Sequence, residues 1–251
     1  MLKIRKEQDE ELGKIALKRF EDSMVEHIKE FFPKYYEVHG EPLIREIIQY
    51  AVQHAGNYDF VTERDVCLYI NLVLLLGSNF DIDKQLFWAE EILKDENITS
   101  SATRIDRLYD KAMEYFDRVA GTENEFLGRA LLRVREISIE NFSQTPAENT
   151  IDVSVALLQE IWPRKCQELG ETTLNNLIGE AVISAKVYNI TSERGLVLYT
   201  WLMFMLGSGF DKDPQFPWAA KILHDESIID QAKKVDQLYR EAMAFLEKWL
   251  A

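Results

Sequence analysis

The chain has 251 residues, 47% of them hydrophobic and 29% charged, with only 11 Gly and 6 Pro. That supplies a sizeable core and argues against long disordered stretches and many-turned all-β folds. A net charge of −14, from 43 acidic and 29 basic residues, argues against nucleic-acid binding, which draws its affinity from Lys and Arg on phosphates, and against an anionic membrane surface.

Residues 5–31 form an amphipathic run in which Leu12, Ile15, Phe20, Met24, Ile28 and Phe31 recur at helical spacing. Pro33 ends it. Pro42 suits the first turn of a second helix, which carries Leu43, Ile44, Ile47, Ile48 and Ala51. Asn57 marks a turn. Thr62 reads as an N-cap, followed by acidic residues in the first turn. From Val66 to Leu76 the helix is apolar on nearly every side, as is the run Leu196 to Leu206. Such helices are normally buried on every side. Gly77 and Gly207 stand where a left-handed C-cap would fall. A loop, 78–84, leads to a short helix near Phe87–Lys94. A last helix over about 101–119 puts Ile105, Leu108, Tyr109, Ala112 and Phe116 on one face. No segment alternates with a period of two, so strands are not expected.

The same series then recurs. An offset of 130 aligns the chain with itself without gaps: Leu76-Gly-Ser-Asn-Phe-Asp-Ile-Asp83 falls on Leu206-Gly-Ser-Gly-Phe-Asp-Lys-Asp213. Phe32-Pro33-Lys34 falls on Trp162-Pro163-Arg164, Glu63-Arg64 on Glu193-Arg194, and Trp88-Ala89 on Trp218-Ala219. Leu108-Tyr109 and Ala112-Met113 fall on Leu238-Tyr239 and Ala242-Met243. Internal repetition at a fixed period means a repeated structural unit. The expected architecture is all-α. Two tandem helical bundles of five to six helices, 1–121 and 131–251, are joined by a linker at 122–130 and related by an approximate pseudo-twofold. Pro146 breaks the first helix region of the second unit, and four of the five Trp lie in that unit.

Gly-Ser-x-Phe-Asp-x-Asp, with Asp81 and Asp83 in one copy and Asp211 and Asp213 in the other, is the sharpest motif. An Asp-x-Asp pair can hold a divalent cation. As an EF-hand loop it fails, because Gln85 and Leu86 stand where a ligand and the turn glycine belong. Asp readily caps the following helix or closes a turn. Asp213-Pro214 fits that role, and Pro217 offers an alternative helix start. Trp88 and Trp218 are read as anchors of the short helix, with an interface role as the alternative. Arg64 and Arg194 are expected to tie loops together through a carboxylate, with the Asp pair as a candidate.

His27, His39, His54 and His224 fall opposite Leu157, Leu169, Ser184 and Lys94. Cys67 and Cys166 fall opposite Val197 and Tyr36. None is repeated, whereas the repeated residues are largely apolar, Gly, Tyr and Trp. No nucleophilic constellation, zinc spacing or phosphate loop appears. The expectation is therefore no enzyme, no metal and no cofactor. Two cysteines are too few for a disulfide scaffold. The first ten residues lack the apolar core of a signal peptide, and the apolar runs are shorter than the ~20 residues of a spanning helix. A cytoplasmic location is expected.

Met1-Leu-Lys-Ile-Arg-Lys-Glu-Gln8, Phe31-Phe-Pro-Lys34, Thr62-Glu-Arg-Asp-Val-Cys-Leu-Tyr69, the Gly77–Asp83 motif and Trp88-Ala89 resemble a family of small helical bacterial proteins. These are commonly encoded beside type VI secretion effectors, PAAR-repeat spike tips and adaptor chaperones. The resemblance covers the first unit almost fully and the second through 188–246, and this chain departs from the single-copy form by carrying two units. It implies an adaptor or co-chaperone whose partner is a secreted effector or its spike or adaptor proteins. The alternative is a cytosolic immunity protein that binds a cognate toxin, which the acidity would suit if the toxin is basic. An unrecognised helical active site at Asp211 and Asp213 is the third expectation. The groove between the two units is the natural partner site.

Overall fold

The computed structural model describes residues 6–138 and 150–251, with side chains from Gly13 onward in the first helix. Pro146 lies outside the described residues. Eleven α-helices and no strand are found among them. The chain is all-helical.

Helix α1 runs Lys6–Phe31 without interruption. Helix α2, Pro33–Ala55, starts on its proline and breaks sharply at Gly40, where φ is 73° and ψ 157°. Pro42 sits just past that break, where its missing N–H costs nothing. A 3-10 turn, Gly56–Tyr58, leads to Asp59 at φ 61°. Helix α3, Glu63–Leu76, opens on Thr62, whose hydroxyl accepts from the Asp65 N–H at 3.1 Å. The short α4, Phe87–Leu93, and α5, Ser101–Val119, follow, the latter capped by Ser100. Of the linker read at 122–130, residues 122–124 complete a turn with Gly121 and Asn124 at positive φ, and 125–130 are instead the start of helix α6, Glu125–Glu136.

After that come α7 (Thr150–Ile161), α8 (Pro163–Val187), α9 (Glu193–Leu206), α10 (Pro217–Leu223) and α11 (Gln231–Leu250). Local backbone features recur 130 residues on. Gly170 breaks α8 at φ 73°, ψ 165°; Asn189 takes φ 61°; Ser192 caps α9. Of the two candidate starts for α10, Pro217 is the one used.

The apolar helices are central, as their composition requires. Every residue from Gly195 to Phe204 in α9 is buried, and α3 buries Tyr69, Ile70, Leu72 and Val73 completely. One continuous apolar cluster runs from Met24 to Leu246. Helix α3 packs on α2 and α5, and α9 on α7, α8 and α11. Contacts also run the long way: α5 lies on α8, and α11 lies on α2. Trp162 donates its indole N–H to the Val119 carbonyl at 2.6 Å, and Arg118 forks onto Glu168 at 2.8 and 2.7 Å.

The expected left-handed C-caps at Gly77 and Gly207 are corrected by the backbone. Their φ values, 98° and 105°, are positive, but ψ is 157° and 156°, outside the left-handed helical region. The chain leaves each helix extended rather than curling back. This sends the next residue across to the other loop.

Candidate binding trough

The two Gly-Ser-x-Phe-Asp-x-Asp loops meet each other. Ser78 donates its N–H to Asp213 Oδ2 at 2.8 Å and its hydroxyl to Asp213 Oδ1 at 2.5 Å. Ser208 does the same to Asp83, with 2.8 Å to Oδ2 and 2.5 Å to Oδ1. Each aspartate also caps its own loop, accepting from the N–H of Gln85 or Gln215 at 2.8 Å. Those glutamines reach across in turn. Gln85 Nε2 donates to the Met203 carbonyl at 3.0 Å, and Gln215 Nε2 to the Val73 carbonyl at 2.9 Å. The clasp is buried, and burial raises the Asp213 carboxyl above its ordinary range, outweighing the hydrogen bonds from Ser78 and Gln215.

Asp83 and Asp213 therefore act as caps, as the sequence suggested, and also as cross-loop acceptors. Asp81 and Asp211 have a separate task. Each accepts from the tyrosine at the start of the loop that leads into the core helix, Tyr58 at 2.6 Å and Tyr188 at 2.5 Å. The guanidinium groups do not reach the Asp pairs. Arg64 pairs with Asp106 at 2.6 Å and touches Asp65, and Arg194 pairs with Asp236. Both partners sit just over a turn into the next long helix, α5 or α11. Trp88 is buried against Tyr115. Trp218 is only partly buried, beside Phe216 and Phe245, so the anchor reading holds for Trp88 and not in full for its counterpart.

Beside the clasp lies a trough of about 680 Å³, lined from both ends of the chain and mostly apolar. That volume lies within the range of small-ligand sites. Phe31, 62% exposed, and Leu75, 38% exposed, lie on its rim. Trp218, Trp249, Met113 and Met205 add half-buried apolar surface.

The floor is polar and unequal. Tyr35 donates its hydroxyl to Gln215 Oε1 and stacks on His39 at 4.1 Å. Burial lowers the His39 imidazole from its ordinary range. The position 130 residues on from Tyr35 is Lys165, only 7% exposed. Its ammonium donates to the Phe204 carbonyl and lies over the rings of Phe204 and Trp162, at 4.6 and 5.2 Å. Burial pushes it down to about 8, against a weaker opposing pull from Asp83. Gln85 Oε1, the counterpart of the acceptor Tyr35 uses, is buried without a partner.

Sequence comparison within the chain missed Ser78, Ser208, Gln85, Gln215, Tyr35 and Lys165. The serines and glutamines are repeated and could have been found. The Tyr35/Lys165 pair shows only as a difference between copies. No helix among the described residues is long and apolar enough to cross a membrane. No protein-family model, curated protein or solved structure matches the chain.

Proposed function

We propose that this chain is a non-catalytic, cytoplasmic protein-binding protein of the type VI secretion context, an adaptor or co-chaperone that holds a secreted effector. On this reading it consists of two tandem helical bundles, 1–121 and 131–251, set face to face about an approximate twofold axis. The reciprocal serine–aspartate exchange supports that arrangement, as do the paired contacts of α5 on α8 and α11 on α2.

The observation that carries the proposal is the trough. An apolar channel with exposed Phe31 and Leu75 on its rim is the kind of surface that a partner covers. Methionine and tryptophan walls adapt to a bound segment and supply hot-spot area. The effector encoded beside this chain should co-purify with it and become more soluble when co-expressed. Phe31→Glu with Leu75→Glu should abolish the complex while circular dichroism stays unchanged. A pull-down without complex, or a complex indifferent to both rim charges, would end the proposal.

The second reading is immunity, favoured by the net charge of −14, which would steer a basic toxin. A deletion strain poisoned by its own effector would select it. A deletion strain that only fails to secrete would select the adaptor.

A further inference from the structure

From the unequal floor of the trough we infer that this cavity binds a small amphipathic carboxylate, with its acid group on Lys165 and its apolar body along the trough. This goes beyond the protein-binding proposal and does not depend on it, because that proposal rests on the rim and this one on the floor.

A buried cation is costly unless it is paired. Lys165 makes no ion pair among the described residues; its contacts are one carbonyl and two ring faces. The closest candidate for a counter-charge is Asp83, whose oxygens already accept from Ser208 N–H, Ser208 hydroxyl, Gln85 N–H and Gln85 Nε2. An ammonium has three donors. With one on Phe204, two are left, enough for one carboxylate oxygen and for Gln85 Oε1, which has no partner.

The other side of the floor shows what a closed version looks like. There Tyr35 donates to Gln215 Oε1, the atom whose counterpart on Gln85 has no partner. The two copies are otherwise alike at the clasp, so the lysine marks one end of the trough as an anion site. The walls fix the rest of the ligand. Trp162, Val119, Leu127, Leu131 and Met205 line the same cavity, and they favour an alkyl or aromatic body over a sugar or a nucleotide. A polyanion would meet both Asp83 and the overall negative charge, so a single carboxylate is the fitting charge.

Dodecanoate and dodecanol, each below its aggregation limit, separate charge from chain length. Calorimetric titration should show saturable 1:1 binding of dodecanoate, at least tenfold tighter than dodecanol. Lys165→Met should remove that preference. As a check that does not rely on the variant folding, dodecanoate and not dodecanol should protect Lys165 of the unaltered protein from reductive methylation, read by mass spectrometry. Equal binding of acid and alcohol, binding of neither, or equal methylation with and without dodecanoate would overturn the inference. None of those outcomes bears on the rim variants and the effector complex.

Discussion

Ser78 and Asp213 stand 135 residues apart in the chain and share two hydrogen bonds, one from backbone and one from hydroxyl. The aspartate is buried, and with the Gln215 N–H it satisfies three donors. Asp213→Ala leaves those donors unsatisfied in a buried interface. The expected loss is about 3–5 kcal/mol in urea unfolding, since each orphaned buried group costs about 1–3 kcal/mol. Asp83→Ala should cost a similar amount through Ser208 and Gln85. The double variant should lose about 1 kcal/mol less than the sum, because one interface carries both sites. Strict additivity would show that the loops do not cooperate.

Gly77 and Gly207 let the clasp form, and their backbone angles exclude a side chain. At φ 98°, ψ 157° a Cβ is strained in itself, and at Gly77 it would also stand 3.4 Å from the Leu206 carbonyl oxygen. Gly77→Ala should cost about 1–3 kcal/mol. Gly179, inside α8 with open space around it, is the control. Gly179→Ala should stabilise by about 0.5–1 kcal/mol through helix propensity. Thermal melts of the two variants should move in opposite directions.

Trp88 and Trp218 occupy repeated positions in unequal surroundings. Trp88 is buried against Tyr115, so Trp88→Ala should cost about 3–5 kcal/mol. Trp218 faces the trough and is only partly buried, so its removal should cost about 1–2 kcal/mol of stability by the same principle. Its larger effect should appear in partner capture. If both variants lose stability equally, the trough does not reach Trp218.

How far the sequence could be read divides by the range of the physics. The spans of α1, α3 and α5, the Thr62 cap and the Asp83 cap are set by residues within four positions of each other and are legible in the letters, whereas α2 starts at Pro33 rather than near Pro42 and α6 runs through the expected linker. The crossing of Ser78 to Asp213 is not, because a capping aspartate and a cross-loop acceptor look alike in one dimension. Arg64 meets a carboxylate, as expected, but which one is not legible for a related reason: several acidic residues are available, and the packing of α3 on α5 selects Asp106. Identities between the copies mark only what is shared. The unequal floor lies in a mismatch, Tyr35 against Lys165, whose meaning depends on burial.

Lys165 carries the pH prediction. Burial pushes its ammonium down to about 8, from an ordinary 10.5. Below pH 8 the group is charged in both the folded and the unfolded chain, and the full penalty is present. Between about 8 and 10.5 the folded chain gives up the proton while the unfolded chain keeps it, so stability from this group rises with pH. Lys165→Met should therefore be more stable than the unaltered protein by about 3 kcal/mol near pH 7, at about 1.4 kcal/mol for each pKa unit. The difference should shrink toward zero by pH 10. The neighbouring Cys166, raised by burial to about 11, opposes this trend above its ordinary value of 9; the Lys165 charge pulls it down more weakly, so Lys165→Met changes this contribution only in part. Urea midpoints at pH 7 and 9.5 give the comparison. A variant less stable at both pH values would mean that the Phe204 carbonyl and the two rings already compensate the charge, leaving no penalty for a bound carboxylate to relieve.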